Sequence, residues 1–305
     1  MGYQLPDELM FIKNGKAEQK KSDEPMTGKV CIITGATSGV GLEAAKRLVK
    51  GGAHIVMVCR NRVKAETISK EINVTWDVPV DIVIADFSEL DEVRKAADLI
   101  LKTYPKIDVL INSAGLHSTK RRLTSEGFEL GFCVNHLASF LFTQLLMERI
   151  KESAPARIIQ VNSEGHRFNG LDQNDLNWEK RFYTGLRGYG ASKTAQLLTI
   201  WEINDQLKGS NVTINALHPG DVKTNIGSNN GWLYRTFSHH VTWRLLKDPV
   251  ISGEAIYYLA AAPEMSHVSG RFFNLTVEEK PAAHALDREM GKQIMAISMK
   301  MTGLV

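Results

Sequence analysis

Residues 31–48, CIITGATSGVGLEAAKRL, decide how this chain folds. Their β-branched, apolar start reads as a strand. Gly35, Gly39 and Gly41 follow with the spacing GxxxGxG. Then Val40, Ala44, Leu48 and Val49 recur at helical spacing until Gly51-Gly52 ends the run. Glycine lets a backbone turn tightly and come close to a pyrophosphate. The helix N-terminus beyond it offers free N–H groups and a positive dipole end to the anion. A glycine loop between a strand and a helix is the context in which this spacing points to a dinucleotide.

Outward from that turn, the same alternation continues. KVCIITG, AHIVMVCR, VDIVIADF, KIDVLINSAG, ARIIQVNS, VTINALHP and GRFFNL read as seven strands, most of them apolar nearly throughout. That suits strands covered on both faces. Helical patterns at 40–50, 62–71, 89–103, 125–150, 189–208 and 252–262 separate them. The fold expected is α/β, a doubly wound Rossmann-type domain with a mainly parallel seven-stranded sheet and helices on both faces. The site belongs beyond the C-terminal ends of the strands. Residues 1–26 read as an N-terminal extension, a solvated tail with interleaved acids and bases, and 27–305 as one dinucleotide-binding and catalytic domain.

The second strand ends in VMVCRNR. Sites that select NAD place a carboxylate there, against the ribose 2′-hydroxyl. Here Cys59 and Arg60 stand in its place, with Arg62 following. A guanidinium binds a 2′-phosphate through bidentate hydrogen bonds, so NADP is expected over NAD.

Composition excludes other classes. With 43% hydrophobic and 23% charged residues, the chain is ordinary for a globular protein. A net charge of +3 is too small to argue for a nucleic-acid partner. Cys31, Cys59 and Cys133 lie far apart among apolar residues and read as reduced thiols. His117, His136, His166 and His218 show no ligand spacing, so no metal is expected. No apolar run approaches the roughly 20 residues needed to span a bilayer. The start lacks the apolar core of a signal peptide, and Pro6 breaks a myristoylation motif. A cytoplasmic location is expected.

Several motifs then fall in order: TGATSGVG at 34–41, DFS at 86–88, NSAG at 112–115, VNS at 161–163, YGASK at 189–193 and HPG at 218–220. From about residue 27 to 275 the chain resembles the short-chain dehydrogenase/reductase family. CRN at 59–61, VNH at 134–136 and MTGL at 301–304 make it most similar to the retinol-dehydrogenase-like branch. The resemblance implies cofactor contacts from Thr37, Ser38 and Val40 beside the three glycines, from Asp86 to the adenine amino group, and from Phe87. Asn112, Ala114 and Gly115 would line the adenine-ribose side, and Pro219, Gly220, Val222 and Thr224 the nicotinamide side. Asn135 matches the asparagine that supports a proton-relay water, and Ser163 the catalytic serine. Where the family has Ser-Ser, this chain has Asn162-Ser163.

Tyr189 and Lys193 stand four apart, so they share a helical face. A free tyrosine has a pKa of about 10, and lowering it by about 3 units takes roughly 4 kcal/mol. An adjacent ammonium, helped by a cationic nicotinamide in the oxidised complex, is expected to supply that, making Tyr189 a proton donor to a substrate carbonyl that Ser163 holds. Tyr183 is the rival, but Arg187 stands four residues on, so Tyr183 reads as a loop or pocket aromatic.

The reaction implied is carbonyl–alcohol interconversion with NADP. The alternative is a dinucleotide-binding sensor with little turnover, which need not keep Ser163, Tyr189 and Lys193. The segment 225–248 carries Trp232, Leu233, Tyr234, Phe237 and Trp243 and reads as a lid over a hydrophobic substrate such as a retinoid, steroid, lipid aldehyde or aromatic ketone. Leu286, Met290, Ile294, Ile297 and Met301 form one stripe of a helix at 285–301 that reads as docking on the core, with self-association left open.

Overall fold

A computed structural model of the protein describes residues 10–222 and 246–305. Thr224 and most of the expected lid, 225–245, lie outside the described residues, as do residues 1–9.

A short helix, α1 (Met10–Asn14), precedes the sheet. The alternation that follows runs β1 (Val30–Thr34), α2 (Gly39–Lys50), β2 (His54–Cys59), α3 (Arg62–Trp76), β3 (Val80–Ile84), α4 (Leu90–Thr103) and β4 (Val109–Asn112). The second half runs α5 (Leu130–Glu152), β5 (Ala156–Val161), α6 (Gly185–Gln206), β6 (Val212–His218), α7 (Val250–Ala261), β7 (Phe272–Asn274), β8 (Val277–Glu278) and α8 (Arg288–Met301). The sheet order is β3-β2-β1-β4-β5-β6-β7-β8. All pairs are parallel except β7–β8. The sheet thus has eight strands rather than seven. The extra one is a two-residue return after Leu275, which is too short to show alternation.

Alternate side chains of β1 divide the core. Ile32 faces the layer of α4, α5 and α6, while Cys31 and Ile33 face α2, α3 and α7. Burial on both sides is why the strands are apolar throughout. All three cysteines are buried and unpaired, and burial pushes each thiol pKa up, that of Cys59 to about 12. Helix α5 is long and apolar enough to cross a membrane, but 83% of its most apolar window lies inside the protein. Its apolarity therefore belongs to the core. On α8, Ile294 is fully buried, and Met290, Ile297 and Met301, with Leu286 just before the helix, pack against the same core, so the stripe docks inward.

Residues 10–26 differ from the tail expected. They form a strap. Asn14 Nδ2 donates to Glu279 Oε2 at 2.9 Å, and Lys20 N donates to Thr276 Oγ1 at 2.8 Å. Arg47 donates to the Ser22 carbonyl, Tyr257 Oη to that of Glu24, and Met26 is buried. Asn14 and the backbone groups of Lys20, Ser22 and Glu24, which look solvated in sequence, here meet partners on α2, α7 and the β7–β8 end of the chain.

Candidate active site

Between β1 and β4 the strand order reverses, and a cleft of about 820 Å³ opens there, at the C-terminal ends of the strands. The glycine loop forms one wall. Gly35 has φ +72°, and a Cβ on it would stand 2.9 Å from Ala114 Cα. A Cβ on Gly41 would stand 2.6 Å from the Gly35 carbonyl oxygen. Only glycine permits this packing of α2 against the β1 turn. Ser38 occupies the N-cap of α2, yet its side chain makes no capping bond. The N–H groups of the first turn are therefore uncapped where Thr37, Ser38, Gly39, Val40 and Gly41 line the cleft. An uncapped helix start that faces a cleft, with no Cβ in the way, fits a pyrophosphate.

At the end of β2, Arg60 lines the same cleft, joined by Asn61 and Lys64. Asn61 caps α3, accepting from Lys64 N at 2.9 Å. Arg62 instead turns toward Glu66, at 3.9 Å. The second cation is thus Lys64, in the first turn of α3. The sequence holds that signal, because residues 60 and 64 lie four apart where α3 begins.

Asp86 and Phe87, after β3, line the cleft, with Asp86 Oδ1 accepting from Ser88 N and Oγ at 2.9 and 2.8 Å. Ser113, Ala114 and Gly115 line the cleft, but Asn112 does not. Asn112 is buried, and its Nδ2 donates to Thr143 Oγ1 at 2.7 Å, so it braces β4 against α5 rather than touching the cleft. Pro219, Gly220 and Val222 line the far end beside His218. Burial pushes the His218 pKa down to about 4, so the ring is neutral at neutral pH.

The chemical groups meet at the centre. Ser163 ends the β5 loop, its Oγ accepting from Gly165 N at 3.0 Å. Tyr189 and Lys193 lie on the first turns of α6, which Thr184 caps by accepting from Arg187 N at 3.2 Å. Ser163 lies beside Tyr189 and lowers its pKa, a Cβ on Gly165 would touch both side chains, and the Lys193 Nζ lies 5.6 Å from the tyrosine ring centroid. The glycine at 165 makes this closeness work: a Cβ there would stand 2.7 Å from Tyr189 Cε1. Sequence reading missed Gly165, because it sits in a loop with no motif.

One expectation is corrected. Burial pushes the Tyr189 pKa up to about 12, with Ser163 lowering it in part. Lys193 is itself pushed down to about 7 by burial, and its Nζ bonds the Val161 carbonyl at 3.0 Å and Gln196 Oε1 at 3.1 Å. Two of its donors therefore go to the protein wall, while the tyrosine ring stands 5.6 Å from Nζ. Asn135 does not line the cleft either. It sits in a π-turn, Cys133–Leu137, where its side chain clasps Leu116: Oδ1 accepts from Leu116 N and Nδ2 donates to Leu116 O. Its own carbonyl accepts from Gln196 Nε2 at 2.5 Å and Ser139 Oγ at 2.7 Å.

Tyr183 is a brace. Its Oη bonds the Ser118 carbonyl at 3.2 Å and buried Glu129 at 3.3 Å, away from Ser163. The ring packs edge-on to Trp178.

Comparison with known proteins bears on this site. The short chain dehydrogenase family model matches residues 29–231. Human retinol dehydrogenase 13 is 37% identical over 299 residues, covering 96% of this chain and 89% of that protein. Human retinol dehydrogenase 14 is 36% identical over 296 residues, covering 92% and 88%. An uncharacterised protein of Mycobacterium paratuberculosis has a solved structure that superposes with a TM-score of 0.75 at 27% identity, covering 94% of this chain and 98% of that one. A short chain dehydrogenase from Burkholderia cenocepacia, solved in complex with NADP, shares the fold with a TM-score of 0.65 at 20% identity, covering 82% and 96%. The matched family model and relatives of this identity and coverage place the chain in the short-chain dehydrogenase/reductase family of oxidoreductases, in its retinol-dehydrogenase-like branch.

Proposed function

We propose that the protein is an NADP-dependent oxidoreductase that interconverts a carbonyl and an alcohol on a hydrophobic substrate. One observation carries this reading: Ser163, Tyr189 and Lys193 converge beside an uncapped helix N-terminus at the switch point of the sheet. NADP over NAD is supported by Arg60 and Lys64 at the end of β2, where no carboxylate stands. Apolar substrates are supported by the relatives named for retinol.

When bound, the coenzyme supplies the reducing equivalent. The protein's own residues manage the proton. With its pKa raised by burial, Tyr189 keeps its proton at neutral pH and acts as donor in the reductive direction. Its Oη–H bond breaks as a new O–H bond forms on the substrate oxygen, which Ser163 Oγ holds in place. The phenolate left behind is unfavourable in a buried site, and the Lys193 cation on the same helical face stabilises it. The lysine also lines the cleft, within reach of a ribose.

A screen of retinal, steroid ketones and aromatic ketones for NADPH consumption tests the reading. Turnover of at least one apolar carbonyl, faster with NADPH than with NADH, is expected. Coenzyme binding without turnover of any carbonyl would favour a sensor.

A further inference from the structure

Lys193 is fully buried against the end of β5, and the hydrogen bonds around it form a closed set. Two of its three N–H donors go to the Val161 carbonyl and to Gln196 Oε1. The same Gln196 Oε1 accepts from Asn162 Nδ2 at 2.9 Å, and Gln196 Nε2 donates to the Asn135 carbonyl at 2.5 Å. Asn162 is fixed in turn, its Nδ2 also donating to the Lys193 carbonyl at 3.0 Å and its Oδ1 accepting from Ser163 N at 2.8 Å. Turning the Gln196 amide over would oppose donor to donor at both Lys193 and Asn162, and oxygen to oxygen at Asn135. One orientation is therefore locked.

We propose that Gln196 is a positioning residue for Lys193: it supplies the only side-chain acceptor that the ammonium has among the described residues and ties it to the Asn135 carbonyl. Gln196 stands behind the lysine and does not line the cleft, so it reaches the site through its neighbours and not by touching a ligand. The assignment rests on the role proposed above for Tyr189 and Lys193. It also accounts for the Asn162-Ser163 pair, because Asn162 is the second donor to the same amide oxygen.

The charge environment makes the assignment testable. Tyr189 faces the lysine from its own helix. The end of β5 presents Val161, Asn162 and Ser163, none of them charged. His136, in the π-turn, bonds Ser298 Oγ at 2.8 Å instead. His218, at the end of β6, is neutral at neutral pH, and Asp221 lies 3.6 Å from it. Asp86 and Asp221 line the same cleft, but neither bonds the ammonium. Burial pushes the Lys193 pKa down, and Gln196 is the side chain that meets its ammonium directly.

The experiment follows the Lys193 signal by NMR in full-length enzyme labelled with 13C at the lysine Cε, assigned by its loss in Lys193→Met. In wild type, burial should bring the midpoint down to about 7. Gln196→Leu removes the acceptor, and the midpoint should fall by about one to two pH units. Gln196→Glu keeps the acceptor and adds a carboxylate, and the midpoint should rise by at least one such step. The alkaline fall of NADPH-dependent carbonyl reduction should move with each midpoint. A residue that merely fills space would not displace the two variants in opposite directions. Gln196→Asn, one methylene too short to span Lys193 and Asn135, should shift downward as Gln196→Leu does, and it decides the case if the leucine variant does not fold. Midpoints unmoved in the folded glutamate and asparagine variants would overturn the proposal. The titration needs no turnover, so full activity in Tyr189→Phe would remove the mechanism while still leaving Gln196 to be judged.

Discussion

Gly165→Ala tests whether the catalytic geometry depends on one missing methyl. The new Cβ would stand 2.7 Å from Tyr189 Cε1, 2.8 Å from Cδ1 and 3.3 Å from Ser163 Oγ. Carbon atoms in contact prefer about 3.5–4.0 Å, so the ring must retreat by about 1 Å. The 3₁₀ turn Glu164–Phe168 cannot give way easily, because His166 Nδ1 bonds the Ser163 carbonyl at 2.7 Å and its Nε2 accepts from Ala282 N at 3.1 Å. A misplacement of about 1 Å at reacting atoms costs on the order of 100-fold in rate. The overpacking itself costs about 1–3 kcal/mol of stability, which a folded domain can tolerate. The assay is kcat for NADPH oxidation with an apolar carbonyl substrate, beside coenzyme affinity by fluorescence titration. We expect kcat to fall by about 100-fold and the coenzyme Kd to stay within about threefold. Tyr183→Phe is the control, since its hydroxyl bonds only Ser118 and Glu129, and it should cost less than about threefold. A folded Gly165→Ala enzyme with wild-type kcat would refute the claim that the Tyr189–Ser163 contact is set by the glycine.

Other expectations follow from the same site and its surroundings. Arg60→Ala and Lys64→Ala should each raise the Kd for NADPH by roughly 10- to 150-fold and leave NADH nearly unchanged, as read by paired titration. Equal losses for both coenzymes would mean that these cations do not read a phosphate. Acid should destabilise the enzyme early. Burial holds the pKa of His136 and His166 near about 3 and that of His218 near about 4, below the value of free histidine, so the folded state takes up fewer protons as pH falls from about 6.5. Each histidine removes up to about 1.4 kcal/mol per pH unit over that window. Glu164, with its pKa raised to about 7 by burial and the nearby Glu279, takes up a proton in the fold between about 7 and 4.5 and offsets one of the three. Urea melts at pH 7, 6 and 5 should show the net fall, and flat stability would contradict it. Asn14→Ala should lower stability by about 1–3 kcal/mol, because buried Glu279 loses a donor, and unchanged melting would show that the strap contributes nothing.

The parts of the fold legible in sequence are those whose physics is local. The β1–α2 turn announces itself because Gly35 and Gly41 are forced by close backbone approach, and the apolar runs of β1 and β2 because both sheet faces are covered. Tyr189 and Lys193 could be paired from spacing alone, because both fall on α6. That helix begins at Gly185, four residues earlier than read, because Gly185, Gly188 and Gly190 disguise a start that Thr184 caps. The π-turn around Asn135 leaves no trace in apolar periodicity. Non-local contacts hid the rest. Gly165 matters only because Tyr189 arrives from another element, and Gln196 looks like any helix residue until Asn162, Lys193 and Asn135 converge on it. The strap at 10–26 misled for the same reason, since the partners of Asn14 and Lys20 lie more than 250 positions away.

The central claim is that Tyr189 delivers the proton. Single-turnover reduction of an apolar carbonyl by enzyme preloaded with NADPH, comparing wild type with Tyr189→Phe, addresses it most directly. The phenylalanine keeps the ring between Gly165 and Lys193 and removes only the hydroxyl. The account predicts a fall of at least about 100-fold in the chemical step, with coenzyme affinity retained. Reduction by Tyr189→Phe at close to the wild-type rate would contradict it.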